Sequence, residues 1–349
     1  MTTDSGMKPD TWIACDESGN TGENVTQGAV GVFSEGSHDL SLEESEEVVA
    51  WLKAELRSQA GELKWKQVRK ADLLLDELFG HRLHGRGMFY LTEKLYFAVG
   101  KVIDLLLEQY AHEHDRDLYA GHHARKLAFR LYREGERALG AEMWRTLLQS
   151  FNSLIRVDTR NQQLKGVPKA TVSEFFEILE AARWRAKRKN VEQILVALLK
   201  TRAQADEFGQ ALSADQAMLP TLDPLIPSLA QTIREWYERG GSQPIHVVHD
   251  AGPIPSSGAM DLMIDGLRHP GEFRSMVRPV QVAEIVVVKS HQDARVQVAD
   301  LIAGFGADVG LRSLSGRATD REFELARGFI SPTSLWADSE SARSFRLEV

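Results

Sequence analysis

Four acids stand where this chain ends a strand or lays a helix against a sheet, and together they could do metal chemistry. Asp16 closes Thr11-Trp-Ile-Ala-Cys-Asp16, an apolar run that reads as a central strand. Glu62 opens the alternating stretch Gly61–Val68, and Asp250 closes Pro244-Ile-His-Val-Val-His-Asp250. Asp300 lies inside the helical run Val296-Gln-Val-Ala-Asp300-Leu-Ile-Ala-Gly304, where an acid facing the core unpaired is costly. Val296, Gln297, Asp300, Ala303, Gly304 and Ala307 share one helix face. The small residues on that face allow a close approach to a sheet, which brings Asp300 against the strand ends bearing Asp16 and Asp250. Gathered carboxylates repel one another and protonate unless a cation offsets them. Oxygen-only donors select hard ions, so Mg²⁺ or Mn²⁺ is the expected occupant. Two such ions about 4 Å apart activate water and stabilise the leaving oxygen in phosphodiester cleavage.

The elements that must position these acids follow from periodicity. After the first strand, Glu17-Ser-Gly-Asn-Thr-Gly22 reads as a turn and Gln27–Phe33 as a second strand forming a hairpin with the first. Leu42–Ser58 is helical, with Val48, Trp51, Leu52 and Leu56 on one face and acids in its first turns. Gly61–Val68 reads as a third extended segment, with Leu63 and Trp65 on one face. From about Leu73 to Glu238 the pattern is helical, with stretches at Tyr96–Tyr110, Arg125–Phe151, Val172–Ala205 and Pro227–Arg239. Strands resume at Pro244–Gly252 and Val282–Ser290, separated by a helix near Ser257–Leu267 and followed by one over about Ala294–Leu311. The tail from Ser313 has weak periodicity and is expected to drape over the surface. The resulting expectation is an α/β fold with one mixed sheet, built from residues 11–70 and 244–312. A large, mostly helical insertion over 71–243 interrupts it, and 313–349 forms a surface tail. Neither strand group alone covers its own faces, which favours one sheet over two independent domains.

The ordered set Asp16-Glu-Ser-Gly19, Glu62-Leu-Lys64, Val247-Val-His-Asp250 and Gln297-Val-Ala-Asp300-Leu-Ile-Ala-Gly304 resembles the domain-of-unknown-function 3800 family. The resemblance covers about Trp12–Val68 and Ile245–Gly306. It implies a ribonuclease H-like fold and a metal-dependent nuclease of RNA or DNA, of the kind found among phage, mobile-element and defence genes. It also implies Asp16, Asp250 and Asp300 as metal ligands with Glu62 as the fourth acid, and Glu17 and Asp293 as the alternatives to Glu62. Lys64 and Gln297 match family positions that would touch a scissile phosphate. Within the tetrapeptide Asp16 is the expected ligand, and Glu17 points to the opposite face.

Composition sets the outer bounds. The 349 residues are 43% hydrophobic and 26% charged, enough for a sizeable core and against general disorder. A formal net charge of −8 counts against a module that binds nucleic acid simply by coating phosphates, though not against a metal-dependent nuclease. The lone Cys15 excludes a disulfide framework or a thiolate zinc site within one chain. No apolar run approaches the roughly 20 residues that cross a bilayer, and the polar N-terminus is unlike a signal peptide, so a cytoplasmic protein is expected. Arg183-Trp-Arg-Ala-Lys-Arg-Lys189 is the densest basic run. It reads either as a solvated helix face or as a phosphate-tracking patch, with Arg183, Arg185 and Lys187 as contacts and Trp184 free to stack on a base. The histidine pairs His81/His84, His112/His114 and His122/His123 lack the spacing of a zinc hydrolase, whereas His249 and His291 flank proposed ligands. The competing reading is a non-catalytic ribonuclease H-like scaffold that binds nucleic acid or protein, with Asp16 and Asp250 as turn residues and Asp300 paired to Arg295. The helical block offers apolar faces for a homodimer or a partner protein.

Overall fold

The apolar run that ends in Asp16 forms strand β1 (Thr11–Ser18), buried at its centre from Ile13 to Asp16. The computed structural model describes residues 10–26, 31–156, 170–213, 221–252, 257–270 and 278–348. Strand β2 (Val32–His38) is followed by helix α1 (Leu42–Glu55), whose N-terminus is closed by a reciprocal Ser41–Glu44 capping box. Short helices α2 (Trp65–Val68) and α3 (Asp72–Leu75) come next, the latter running on in wider π-type turns over Asp76–Arg82. Strand β3 (Gly87–Glu93) leads into α4 (Lys94–Val102), a π-type segment over Ile103–Glu108, and α5 (Gln109–His112). Helices α6 (His123–Leu139), α7 (Ala141–Ile155), α8 (Val172–Arg185), α9 (Lys189–Leu198), α10 (Arg202–Ser213) and α11 (Leu225–Arg239) follow. The chain then forms β4 (Ile245–Asp250), α12 (Ser257–Arg268), β5 (Val282–Val288), α13 (Ala294–Leu314), α14 (Asp320–Arg327) and α15 (Ser339–Phe345).

The strands form one mixed five-stranded sheet in the order β3-β2-β1-β4-β5. β1 pairs antiparallel with β2 and parallel with β4, and β4 pairs parallel with β5. Helix α13 crosses one face of β1 and β2, while α11 lies on the other. The approach of α13 is set by Gly36: a Cβ there would fall 2.3 Å from the Ala303 amide nitrogen and 2.6 Å from the Ala299 carbonyl oxygen. Glycine on the strand and alanine on the helix let the two backbones meet.

Two compact units are distinguished among the described residues. The first holds the chain up to Asn20, Val32–Leu91 and everything from Leu225 on. One of its cores gathers Phe79, Phe89, Phe305 and Phe329. The second holds Thr21–Gly31 and Thr92–Pro224. There Leu131, Trp144, Phe151, Phe175, Leu179 and Leu198 are buried, and the Tyr132 hydroxyl donates to Glu93. Residues 71–91 and 225–243, assigned to the insertion by periodicity, therefore belong to the unit that contains the sheet. Among the described residues no helix is long and apolar enough to cross a membrane.

Four expectations are corrected. The second strand is Val32–His38 rather than Gln27–Phe33, of which Gln27–Val30 lie outside the described residues. Its polar composition hid it: Ser34, Glu35, Ser37 and His38 are all buried, and Ser37 and His38 find partners only in the assembled fold. Trp236 Nε1 donates to Ser37 Oγ at 2.8 Å, and His38 bridges the Leu40 amide and the Arg295 carbonyl. Gly61–Val68 is not extended: it is a bend leading into α2, with Leu63 and Val68 fully buried and the Lys64 amide donating to Gln67 Oε1. The strand that was missed is β3, whose unbroken burial removes any alternation that would separate it from a buried helix. Nor does the tail drape over the surface. Phe323, Phe329, Trp336 and Phe345 are buried, and their irregular spacing reflects contributions from short helices and the turns between them.

Candidate metal centre

Parallel pairing of β1 with β4 sets Cys15 beside His249, so the next residues, Asp16 near the end of β1 and Asp250 at the end of β4, lie side by side. Across the other edge of β1, Asp16 is paired with Gly36. Because Gly36 abuts Ala299 and Ala303, the turn of α13 that carries Asp300 is brought over the same strand end. Below it, Ala14, Val248 and Val296 form a small apolar floor, joined by Val288. Asp16 Oδ1 accepts from the Glu17 amide at 2.7 Å, and Asp250 Oδ1 from the Ser290 amide at 2.9 Å. Burial, then the charges of Glu17 and Asp300, raise the Asp16 carboxyl well above its ordinary value; His249 opposes this, and Asp250 adds to it. Burial likewise raises Asp300 to about 6, with Lys64 opposing and Glu62, Asp250 and Glu17 reinforcing. These acids repel one another across the strand ends.

Glu62 and Lys64 reach the group through a second glycine notch. A Cβ on Gly304, one turn after Asp300, would fall 2.4 Å from Trp65 Cβ, so the indole seats where glycine leaves room. That contact places the preceding residues beside Asp300. Lys64 Nζ lies 2.5 Å from Glu62 Oε1 and 3.7 Å from Asp300 Oδ2. Burial works against the Glu62 charge, but the Lys64 and Ser290 hydrogen bonds and the Lys64 and His291 charges hold its carboxyl below the usual value. Burial also opposes the Lys64 ammonium, yet Glu62, Asp300 and Asp16 raise its pKa.

A charged layer lies directly beneath. Glu17 leaves β1 on the face opposite Asp16, where it joins Glu35 of β2 and His249 of β4. His249 Nε2 is 3.4 Å from Glu35 Oε1 and 4.0 Å from Glu17 Oε2, and its Nδ1–H donates to the Asp250 carbonyl at 3.0 Å. Burial disfavours the imidazolium, but the Glu35 hydrogen bond and charge, then Glu17 and the Asp250 carbonyl, raise it to about 10. Residue patterns singled out His249 but missed Glu35. No local pattern could have found it, because the strand is buried on every side and the role of Glu35 depends on the register that sets Glu17 opposite it.

The remaining sequence candidates divide. Gln297 is buried one turn before Asp300, and its Oε1 has no hydrogen-bond partner. Asp293 does not join the acids: it caps α13 by accepting from the Arg295 amide and binds the Arg295 guanidinium at 2.7 Å. That pairing also leaves Asp300 without the Arg295 partner of the competing reading. Arg183, Arg185 and Lys187 lie at the end of α8 and the turn into α9 in the second unit; Arg185 and Lys187 are exposed, and Arg183 sits 5.0 Å over the Trp184 ring. Trp184 is 75% exposed.

As the side chains stand, no three His, Cys, Asp or Glu groups among the described residues are arranged to hold an ion. The donor set nonetheless suits a hard cation. Asp16, Glu17 and Asp300 are buried or nearly so, and Glu17 Oε2 and Asp300 Oδ2 have no hydrogen-bond partner. No protein-family model, no curated protein and no solved structure matches this chain.

Proposed function

We propose that this protein is a ribonuclease H-like, Mg²⁺- or Mn²⁺-dependent nuclease that hydrolyses phosphodiester bonds of RNA or DNA. One observation carries the reading: Asp16, Asp250 and Asp300, from three segments far apart in sequence, converge at the carboxyl ends of adjacent parallel strands with their mutual repulsion largely uncompensated. In open α/β sheets that is the ligand-binding edge, at the point where one connection leaves to the left and the next to the right. β1 leads to β2 on one side, and β4 leads to β5 on the other.

Asp16, Asp250, Asp300 and Glu62 would hold the metal, with Glu17 as a further oxygen donor. Bound there, divalent ions supply an activated water and offset the charge that develops on the phosphate. The chain's own residues prepare this edge. The Ser290 amide fixes one Asp250 oxygen and His249 fixes the Asp250 carbonyl, so the strand end is held from both sides. Lys64 at the rim, and Gln297 buried beside Asp300, would be the groups to meet a phosphate oxygen. The exposed Arg185 and Lys187, with Arg183 and Trp184, offer a second nucleic-acid contact in the helical unit.

The test is incubation of purified protein with labelled RNA and DNA panels in Mg²⁺, in Mn²⁺ and in chelator. Cleavage that requires metal and disappears in Asp16→Asn and Asp300→Asn is expected; full activity in both variants contradicts the assignment. The non-catalytic scaffold remains the second reading, supported by the absence among described residues of three side chains already in ligand arrangement. Tight nucleic-acid binding without cleavage in any metal would favour it.

A further inference from the structure

The acids are not without a cation. Lys64 Nζ sits between two of the proposed ligands, 2.5 Å from Glu62 Oε1 and 3.7 Å from Asp300 Oδ2. We propose, resting on the metal-site reading above, that Lys64 is a built-in counter-ion: it holds the place of a divalent ion in the metal-free protein and yields it to the ion when a phosphodiester draws the lysine away.

Three features support this. First, a Mg²⁺ ion bound by carboxylate oxygens needs contacts of about 2.0–2.1 Å. An ammonium already bonded to Glu62 and facing Asp300 occupies the donor atoms and repels the incoming charge. Second, the backbone of Lys64 is fixed while its side chain is not. Its amide donates to Gln67 Oε1 at 2.8 Å, and the next residue, Trp65, is locked against Gly304. The side chain itself is 45% exposed, so its flexible four-carbon stem can swing outward without moving the helix. Third, the partners it would leave need a replacement. Asp300 Oδ2 is buried without a hydrogen bond, so removal of the lysine leaves an oxygen that a metal ion would satisfy.

The consequence is coupling. A substrate phosphate attracts Lys64, which frees Glu62 and Asp300 for the ion, so substrate tightens metal and metal tightens substrate by the same factor. Lys64 is thus a positioning residue that makes metal loading depend on substrate. It weakens metal binding, without abolishing it, when no nucleic acid is present.

The experiment is calorimetric titration of Mn²⁺ into full-length wild type, Lys64→Met and Lys64→Arg, each alone and with a phosphorothioate-linked single-stranded oligonucleotide. Circular dichroism and thermal unfolding confirm that the half-exposed substitutions leave the fold intact. Lys64→Met without oligonucleotide is expected to bind Mn²⁺ about five- to twentyfold more tightly than wild type. The oligonucleotide should tighten Mn²⁺ binding to wild type and to Lys64→Arg but not to Lys64→Met. Equal or weaker Mn²⁺ binding by Lys64→Met overturns the counter-ion role and leaves the metal site standing. Failure of all three proteins to bind Mn²⁺ removes the metal site and the counter-ion role together.

Discussion

The two ends of β1 treat charge in opposite ways. Around its amino end, every acid named here has a basic partner. His246 stacks on Trp12 with ring centroids 4.3 Å apart and lies between Asp10 and Glu284 at 3.0 and 2.9 Å. Arg86 binds Asp39 and Glu44 at 2.6 and 3.2 Å, and Arg295 binds Asp293. Asp10, Asp39, Glu44 and Arg295 from these pairs line an open cavity of about 720 Å³. At the carboxyl end, Asp16, Glu17, Asp250, Asp300 and Glu62 gather around Lys64, His249 and His291, with no arginine paired to any of them among the described residues, and Asp16 and Glu17 are deeply buried. The fold readily supplies arginines where it pairs acids for structure. Their scarcity at the carboxyl end is what the proposed metal site would require, since a bound cation would supply the missing positive charge.

The sharpest way to break this comparison is to remove the acids. Asp16→Asn and Asp300→Asn should lower metal-dependent cleavage by more than about a hundredfold, since they remove ligands rather than the outer-shell partners whose loss already costs about 10–100-fold. Initial rates on the best substrate of the RNA and DNA panel check this.

Next is the close approach that brings Asp300 over the strands. Gly36→Val sets a branched side chain into the Ala299–Ala303 backbone and should cost about 3 kcal/mol or more, read from urea unfolding. Stability unchanged by this substitution would mean that α13 does not rest on β2 as described.

The pH dependence of the metal-free protein is smaller. A carboxyl whose folded pKa lies above its unfolded value binds more protons when folded, so its contribution falls as pH rises from the unfolded value near 4 to the folded value of about 6. Asp300→Asn lacks this loss. Its stability relative to wild type should therefore grow between pH 4 and 6 to about 1–3 kcal/mol and stay level above. His38 acts in the opposite sense. It is buried and neutral, with a pKa lowered by burial to about 4, so wild-type stability also declines as pH falls from about 6.5 through 4. Comparing the variant with wild type at each pH cancels that shared slope.

Smallest is the effect of unpairing the amino end. Arg86→Ala breaks two half-exposed ion pairs and should cost no more than about 1 kcal/mol, with Mn²⁺ binding unchanged.

The acids were more legible than the elements between them. Asp16, Asp250 and Asp300 end or interrupt apolar segments, and an acid in such a setting is conspicuous because burial without a partner is expensive. Strand β2 was displaced in the reading because Ser34-Glu-Gly-Ser-His38 is polar, and only the assembled sheet shows that these groups bond to α11 and to the turn that follows the strand. β3 was lost because burial on every side erases periodicity. The alternation of Gly61–Val68 was real but belonged to a bend with Leu63 and Val68 turned inward. Glu35 was invisible for a related reason: its role depends on the register that sets Glu17 opposite it and on His249 in a strand more than two hundred residues away.

The central claim is that the carboxyl-end acids bind a divalent cation, and Mn²⁺-dependent thermal unfolding at pH 7.5 tests it most directly. Wild type should gain stability with rising Mn²⁺, by an increment that follows mass action, while Asp16→Asn and Asp300→Asn start at or above the wild-type melting temperature and gain little. A wild-type melting temperature indifferent to Mn²⁺, or an equal rise in all three proteins, would contradict the account.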